Sequence, residues 1–327
     1  MLKVAIIGYG KMGRIRHKHL VESGRAEVVL VSDQQEVPDA PCRQVSDEGE
    51  IFDDPSIDAV FVCTPNYRIP ELVIRALKNG KHVFSEKPPA RNAAEIEEVR
   101  MAEQAAIGCK LMYGFNHRHH TSIQKMKEII DSKEMGKVLW MRGRYGKEVD
   151  ESYFDTWRAD PKLAGAGIML DQGIHMLDLF LHFCGDFDEV HALVSNLFWK
   201  IEGVEDNVFA IMKNSETGVC ASLHSTMTQW RYLFSLEVFL EGGALILNGL
   251  KTSSGVYGEE DLAIKRNAPD ADGSFAGEEH IVYEVDSSWM SEINHFLDSI
   301  EMDTPVAFGN SEDALRLMKV MDRIYGN

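Results

Sequence analysis

A chain of 327 residues with 44% hydrophobic side chains is too long for one core and has ample material for two. Fifty-two acidic against 34 basic residues leave a net charge of −18, which argues against nucleic acid and anionic membrane surfaces as partners. Any anionic ligand must be met by a local cluster of cations. Five scattered cysteines (Cys42, Cys63, Cys109, Cys184, Cys220) form no CxxC and read as reduced thiols, not a disulfide frame or a zinc site. With a strand from residue 2, no signal peptide and no apolar run long enough to cross a membrane, the expectation is a soluble cytoplasmic protein.

The first element is the apolar run Val4–Ile7, which reads as a strand buried on both faces. Gly8-Tyr9-Gly10-Lys11-Met12-Gly13 follows at once, then a helical pattern with Ile15, Leu20 and Val21. A second apolar run, Val28–Val31, ends near Asp33, twenty residues after the last glycine. A GxGxxG between strand and helix, with an acid at that distance, is the context a dinucleotide fingerprint requires. Gly8 permits the tight turn, Gly10 lets the backbone approach a pyrophosphate, and Gly13 lets helix and strand pack closely. Asp33 would accept the ribose 2′-hydroxyl of NAD and repel the 2′-phosphate of NADP, and Gln34 and Gln35 offer no cation for that phosphate. The expected cofactor is therefore NAD in preference to NADP.

Asp58–Thr64 is the next strand, followed by Pro65-Asn66 and a helix through Glu71, Leu72, Val73, Ile74 and Leu77 that closes at Gly80. Lys81–Ser85 is a short buried strand running into Glu86-Lys87-Pro88-Pro89. Asn92 N-caps a helix from Ala93 to about Ile107, and Leu111–Phe115 is a further strand. Strand and helix alternate throughout, so the sheet is expected to be parallel with right-handed crossovers. Ligands on such a sheet bind beyond the carboxyl ends of the strands, where Thr64-Pro65-Asn66, Glu86-Lys87 and Asn116 all lie.

After Arg118 the pattern changes. A helix over Ile123–Ile130 leads to a succession of strands: Val138–Arg144, Val190–Leu197, Asn207–Met212, Val219–Ser225, Leu236–Leu240 and Ala244–Leu247. Few helices intervene, which predicts a second domain on a large, mainly antiparallel sheet. Gly255–Gly277 reads as loops between edge strands, and Ser291–Ile300 and Ser311–Tyr325 as helices, the second N-capped by Ser311. One helix, Gly165–Asp178, interrupts the strands. On it Asp171 and His175 are four apart and share a face, a plausible proton-handling pair. His117-Arg118-His119-His120 lacks a carboxylate or cysteine at ligand spacing, so it reads as a solvated boundary loop with no metal.

GYGKMG, Thr64-Pro65-Asn66 with Glu71, Gly80-Lys81-His82-Val83 leading into Glu86-Lys87-Pro88, and GAGIMLDQGIH come in one order over nearly the whole chain. In this the chain resembles the glucose-fructose oxidoreductase / inositol dehydrogenase (Gfo/Idh/MocA) family. The resemblance implies an α/β protein: an N-terminal Rossmann domain with a doubly wound parallel sheet over residues 1–118, and a C-terminal α+β domain over 119–327 with a large open, mainly antiparallel sheet. It implies homodimers or homotetramers formed through that sheet, with the last helix packing back on the Rossmann domain. It also implies that Lys87, Asp171 and His175 are catalytic, Lys87 holding and polarising the reacting hydroxyl while His175 and Asp171 carry the proton. Gly8, Tyr9, Gly10, Lys11, Met12, Gly13, Asp33, Thr64, Pro65, Asn66, Glu86 and Lys87 would hold the cofactor, and Asn116, Arg118, Trp157 and Arg158 would line the substrate site. Two departures bear on substrate fit: Ile69 stands where the family often has histidine, and Gly165-Ala166-Gly167 replaces a triple glycine.

The implied activity is NAD-dependent hydride transfer to or from a secondary hydroxyl of a sugar, sugar nucleotide or cyclitol. Alternatives from other classes are an NAD-dependent lyase or glycosidase that oxidises only transiently, and a non-catalytic dinucleotide sensor. Arg118, Trp157, Arg158, Lys147 and Arg144 around Lys87 suggest a substrate with a negative group, with Trp157 as a stacking face. The bland alternative pairs these arginines with Asp155 and Asp160 at the surface.

Overall fold

The computed structural model describes residues 1–252, 257–267 and 277–326. The chain divides into two compact units, Met1–Asn116 with Trp289–Lys319, and His117–Ser288 with the residues from Val320 on.

In the first unit β1 (Leu2–Ile7), α1 (Lys11–Ser23), β2 (Ala26–Ser32), β3 (Arg43–Val45), α2 (Gly49–Asp53), β4 (Ala59–Val62), α3 (Ile69–Lys78), β5 (His82–Glu86), α4 (Ala93–Ala105) and β6 (Leu111–Gly114) alternate as expected. The sheet runs β3-β2-β1-β4-β5-β6, every pair parallel, so the strand order reverses between β1 and β4. That reversal is the switch point where open α/β sheets bind ligands. β4 is buried along its whole length, which explains why it reads as a continuous apolar run. Phe61 and Phe84 stack at 4.8 Å and present their edges and faces to Phe296 at 5.6 Å, so the late helix segment closes this core. Asn92 Oδ1 accepts the Glu95 amide at 3.0 Å, the expected cap. β3 escapes sequence reading because Arg43-Gln44-Val45 has neither an apolar run nor alternation.

The second unit contains α5 (Thr121–Ser132), β7 (Val138–Glu148), α6 (Pro161–Ala164), α7 (Ile174–Cys184) and β8 (Glu189–Ser195), β9 (Asn207–Lys213), β10 (Cys220–Thr226), β11 (Thr228–Leu240), β12 (Gly243–Asn248), β13 (Glu260–Arg266) and β14 (Glu279–Tyr283). The sheet order is β14-β13-β12-β11-β7-β10-β9-β8, and only the β7–β10 pair is parallel. Helix α7 lies on one face: a Cβ at Gly143 of β7 would come within 2.4 Å of the Met176 side chain. β13 corrects the expectation of loop across Gly255–Gly277; residues 255–256 and 268–276 of that stretch lie outside the described residues. Its apolar core is only Leu262-Ala263-Ile264 between charged neighbours, too short to stand out.

Two helices complete the chain, α8 (Ser288–Glu301) and α9 (Ser311–Tyr325), and α9 runs on past Lys319 from the first unit into the second. Its cap is Asn310, not Ser311: Asn310 Oδ1 accepts the amides of Glu312 at 3.1 Å and Asp313 at 3.0 Å. The Ser311 hydroxyl donates instead to the Glu103 carboxylate. Among the described residues no helix is long and apolar enough to cross a membrane.

Candidate active site

The glycine turn of the first unit resolves into three separate demands. Gly8 has φ +91°, and a Cβ there would lie 2.5 Å from the Cys63 carbonyl oxygen. A Cβ at Gly13 would lie 2.2 Å from the Gly8 carbonyl oxygen. Both glycines are required by the protein's own backbone. Gly10 differs, because a Cβ there would meet no protein atom within 4 Å. Close protein packing does not explain Gly10; close approach of a ligand does. Helix α1 begins just beyond it with no side-chain cap and no acid in its first turn, leaving its amides and the positive end of its dipole for an anion. Lys11 and Met12 form that first turn.

Asp33 stands directly beside this turn. Its Oδ2 accepts the Tyr9 amide at 2.7 Å and its Oδ1 accepts the Gln35 amide at 3.0 Å, which fixes the carboxylate at the end of β2. The Tyr9 hydroxyl is held by His17 Nδ1 at 2.8 Å. Thr64 follows β4 on the other side of Gly8, and its buried hydroxyl has no protein partner. Pro65 and the buried Asn66 come next in the chain. An open cradle at Gly10, an uncapped helix start and a fixed carboxylate fit the pyrophosphate and ribose of a nicotinamide dinucleotide.

Glu86 and Lys87 sit at the end of β5, where the Lys87–Pro88 peptide is cis and Lys87 is half-buried. Glu86 Oε1 accepts Arg16 Nε at 2.7 Å, and a second nitrogen of Arg16 reaches Glu292 Oε2 at 2.5 Å. Arg16 is fully buried, its guanidinium over the rings of Phe84 at 4.4 Å and Trp289 at 4.7 Å. Burial works against its charge, but Glu292 and Glu86 outweigh that and raise its pKa. Glu86, expected at the cofactor, thus has a definite role inside the unit as an anchor for Arg16. Asn116 is buried just beyond β6.

In the second unit the helix carrying Asp171 and His175 is not uniform. Met169–Gly173 is a π-helical turn leading into α7, a local widening that occurs often at functional sites. Asp171, in that turn, accepts Lys147 Nζ at 2.7 Å and Arg158 Nε at 3.3 Å. Lys147 stands on the same face of β7 as Tyr145, whereas Arg144 points to the exposed face. Arg158 lies 4.5 Å over the Trp157 ring, so both residues are beside Asp171 and not paired with Asp155 or Asp160. His175 stacks on His117 at 3.9 Å, and His117 Nε2 is 3.1 Å from the Tyr145 hydroxyl. Burial pushes the Tyr145 phenol up to about 12. Gln172 donates to the Tyr257 hydroxyl alongside.

The run His117–His120 is not a solvated loop. All four residues are buried, at 2–5% exposure, and His117, Arg118 and His120 each meet a partner far away in sequence. Arg118 holds Asp178 bidentately at 2.8 and 2.6 Å, and His120 Nδ1 is 3.1 Å from Glu260. Arg118 is therefore an internal cation of the unit, committed to Asp178. Among the described residues no group of three or more His, Cys, Asp or Glu could hold a metal ion. Sequence alone does not point to Tyr145 and Tyr257, or to the stacking of His117 on His175, since these contacts depend on the path of β7 beneath the helix.

Residues 2–115 match the model of an oxidoreductase family with an NAD-binding Rossmann fold, and residues 123–246 match the GFO/IDH/MocA C-terminal domain. The chain belongs to the Gfo/Idh/MocA oxidoreductase family. Two curated relatives of this oxidoreductase are a myo-inositol 2-dehydrogenase of Thermotoga maritima, 25% identical over 97% of this chain and 93% of that one, and a D-glucoside 3-dehydrogenase of Escherichia coli, 29% identical over 61% and 58%. The fold is shared with a levoglucosan dehydrogenase solved with NADH, at TM-score 0.88 and 21% identity, covering 99% of this chain and 96% of that one.

Proposed function

We propose that this Gfo/Idh/MocA oxidoreductase transfers hydride between a secondary alcohol carbon of a sugar, sugar nucleotide or cyclitol and NAD. The observation that carries the reading is the glycine turn, where Gly10 alone faces open space while Asp33 is fixed beside it. Asp33 favours a free ribose 2′-hydroxyl, hence NAD over NADP. When bound, NAD provides the acceptor for the hydride. The residues of this chain then have the remaining tasks: Lys87 hydrogen-bonds and polarises the reacting oxygen, His175 takes the hydroxyl proton, and Asp171, with Lys147 and Arg158 on its two oxygens, orients the hydroxyl-bearing group. The hydroxyl becomes a carbonyl as one hydride and one proton leave it.

We further propose homo-oligomers through the uncovered sheet face, and a reducing, cytoplasmic setting consistent with five free cysteines. That face presents Leu193, Phe209 and Ile211 at 50–72% exposure beside stacked Trp140 and Phe239. The functional test is a screen of inositols, free sugars, glycosides and nucleotide sugars for NADH absorbance with NAD supplied. Net NADH with at least one of these supports the dehydrogenase. Product without net NADH would indicate transient oxidation, and cofactor binding without any turnover would indicate a sensor.

A further inference from the structure

The helix that carries Asp171 and His175 begins without a cap of its own, and its start is held from outside. A helix N-terminus leaves four amides without intrahelical acceptors. Here all four are met by two residues distant in sequence. Glu205, in the segment between β8 and β9, accepts the Gly167 amide on Oε2 at 2.6 Å and the Met169 amide on Oε1 at 2.9 Å. Its backbone carbonyl accepts the Ile168 amide at 3.1 Å. The Tyr325 hydroxyl, at the end of α9, donates to Glu205 Oε1 at 2.8 Å and takes a hydrogen bond from the Leu170 backbone. The first bond within the helix is then Asp171 N–H to the Gly167 carbonyl at 3.0 Å.

The approach is close enough to dictate sequence. A Cβ at Gly167 would lie 2.1 Å from the Glu205 carbonyl oxygen and 2.7 Å from its carboxylate. The Gly167 of GAGIMLDQGIH is thus required by Glu205, independently of any ligand. Glu205 is 7% exposed; burial raises its carboxyl, and the hydrogen bonds from Met169, Tyr325 and Gly167 oppose that rise. The same negative group lies against the positive end of the helix dipole, where it is stabilised.

We propose that Glu205 and Tyr325 form a clamp that sets the register of the π-helical turn, and through it the position of Asp171 against Lys147 and Arg158. Both are positioning residues: neither touches the reacting atoms, and both act through the helix start. A C-terminal aromatic residue thereby becomes part of the support of the acid–imidazole helix. The kinetic consequence rests on the dehydrogenase reading, whereas the structural one does not.

The test uses the full chain with Tyr325→Phe, which deletes one hydroxyl, and Glu205→Gln, which leaves one amide without its carboxylate acceptor. Hydrogen–deuterium exchange is followed on peptides spanning residues 165–178, with β1 and β4 peptides as internal reference. The expected result is exchange faster by about tenfold or more at 165–178, the factor for one lost hydrogen bond of ordinary strength, with the reference unchanged. Tyr325→Phe keeps the test open should Glu205→Gln not fold. Unchanged exchange at 165–178, or an equal rise everywhere, would overturn the clamp. On whichever screened substrate the wild type oxidises, kcat should fall about tenfold while the NADH dissociation constant stays within about twofold. Loss of NADH affinity in step with kcat would show a general structural defect in place of positioning. If the wild type oxidises nothing, the functional reading fails, and the exchange data still decide the clamp.

Discussion

His175 and His117 stack nearly face to face, ring centroids 3.9 Å apart and planes 16° from parallel. The stack fixes the plane of the imidazole that we propose takes the proton, and Tyr145 holds the outer ring through its hydroxyl. Ring pairs of this kind contribute about 0.5–1.5 kcal/mol beyond burial. His117→Ala should therefore lower kcat by up to about tenfold, and His117→Phe, which keeps a flat ring, should recover most of it. Steady-state kinetics with NADH titration decides the point: if both variants lose activity equally, stacking is not what matters.

The three glycines of the turn should respond differently to alanine. Gly10→Ala meets no protein atom, so thermal stability should stay within about 0.5 kcal/mol of wild type while NADH affinity collapses, because the methyl stands where the pyrophosphate comes. Gly8→Ala places a Cβ 2.5 Å from Cys63 O at φ +91° and should destabilise the first unit outright. Melting curves and fluorescence titration on the same samples separate the two. NADH binding by Gly10→Ala as tight as wild type would remove the turn from the cofactor site.

Arg16 predicts a large stability effect in the first unit. Removing one member of a buried ion group strands its partners, at a cost of about 3–5 kcal/mol. Arg16→Met should show that loss in urea unfolding because it leaves Glu86 and Glu292 buried without their cation. A loss under about 1 kcal/mol would mean that the carboxylates simply protonate or rehydrate.

Much of this architecture was readable in advance because its signals are local. The strand–glycine–helix context of Gly8–Gly13, the apolar strands β1 and β4 and the cap at Asn92 each depend on a few adjacent residues. Arg16 also leaves a trace in the sequence: with Gly13 and Leu20 it occupies the buried stripe of α1, where a lone cation implies buried carboxylates elsewhere. The pairings Arg118–Asp178, Asp171–Lys147 and Glu205–Gly167 join residues 24 to 60 apart, and no periodicity encodes such partners. For the same reason His117–His120 reads as solvated from sequence alone, since nothing local to a polar run shows the distant partners that bury it.

Glu260 should make the second unit sensitive to acid. Burial works to raise its carboxyl, but hydrogen bonds from His120, Ser122 and the Lys251 amide outweigh it and hold it below its ordinary 4.5. A depressed carboxyl contributes stability that is present above the ordinary value and lost as pH falls through it toward the lowered one. Glu260→Gln should cost about 2–3 kcal/mol near pH 7, the scale of hydrogen bonds to a charged group. The gap from wild type should shrink as pH drops from about 5 to 3. Urea titrations of both proteins across that range suffice; a gap independent of pH would show that charge on Glu260 is irrelevant.

The cations around Asp171 bear on what the substrate carries. Arg118 is spent on Asp178, and Arg144 lies on the far face of β7, so two of the cations expected at the substrate are elsewhere. Lys147 and Arg158 remain, both on the single carboxylate of Asp171, which leaves that cluster one positive charge in excess. Arg158 is the more exposed of the two, its side chain at 38% against 17% for Lys147, and it stacks on Trp157. A guanidinium held by only one nitrogen at 3.3 Å can turn its remaining donors to a phosphate or carboxylate, with the indole offering a face to a ring. Sugars bearing an anionic group should therefore be preferred over neutral polyols. Arg158→Ala should lower kcat/KM for nucleotide sugars or sugar phosphates by about tenfold to a hundredfold, the range for a charge-assisted contact of about 1.5–3 kcal/mol, and change that for inositols far less. Measuring both substrate classes on wild type and Arg158→Ala settles it. If neutral polyols are the better substrates and the variant handles them as wild type does, then Arg158 serves only to hold Asp171 and the anionic preference is wrong.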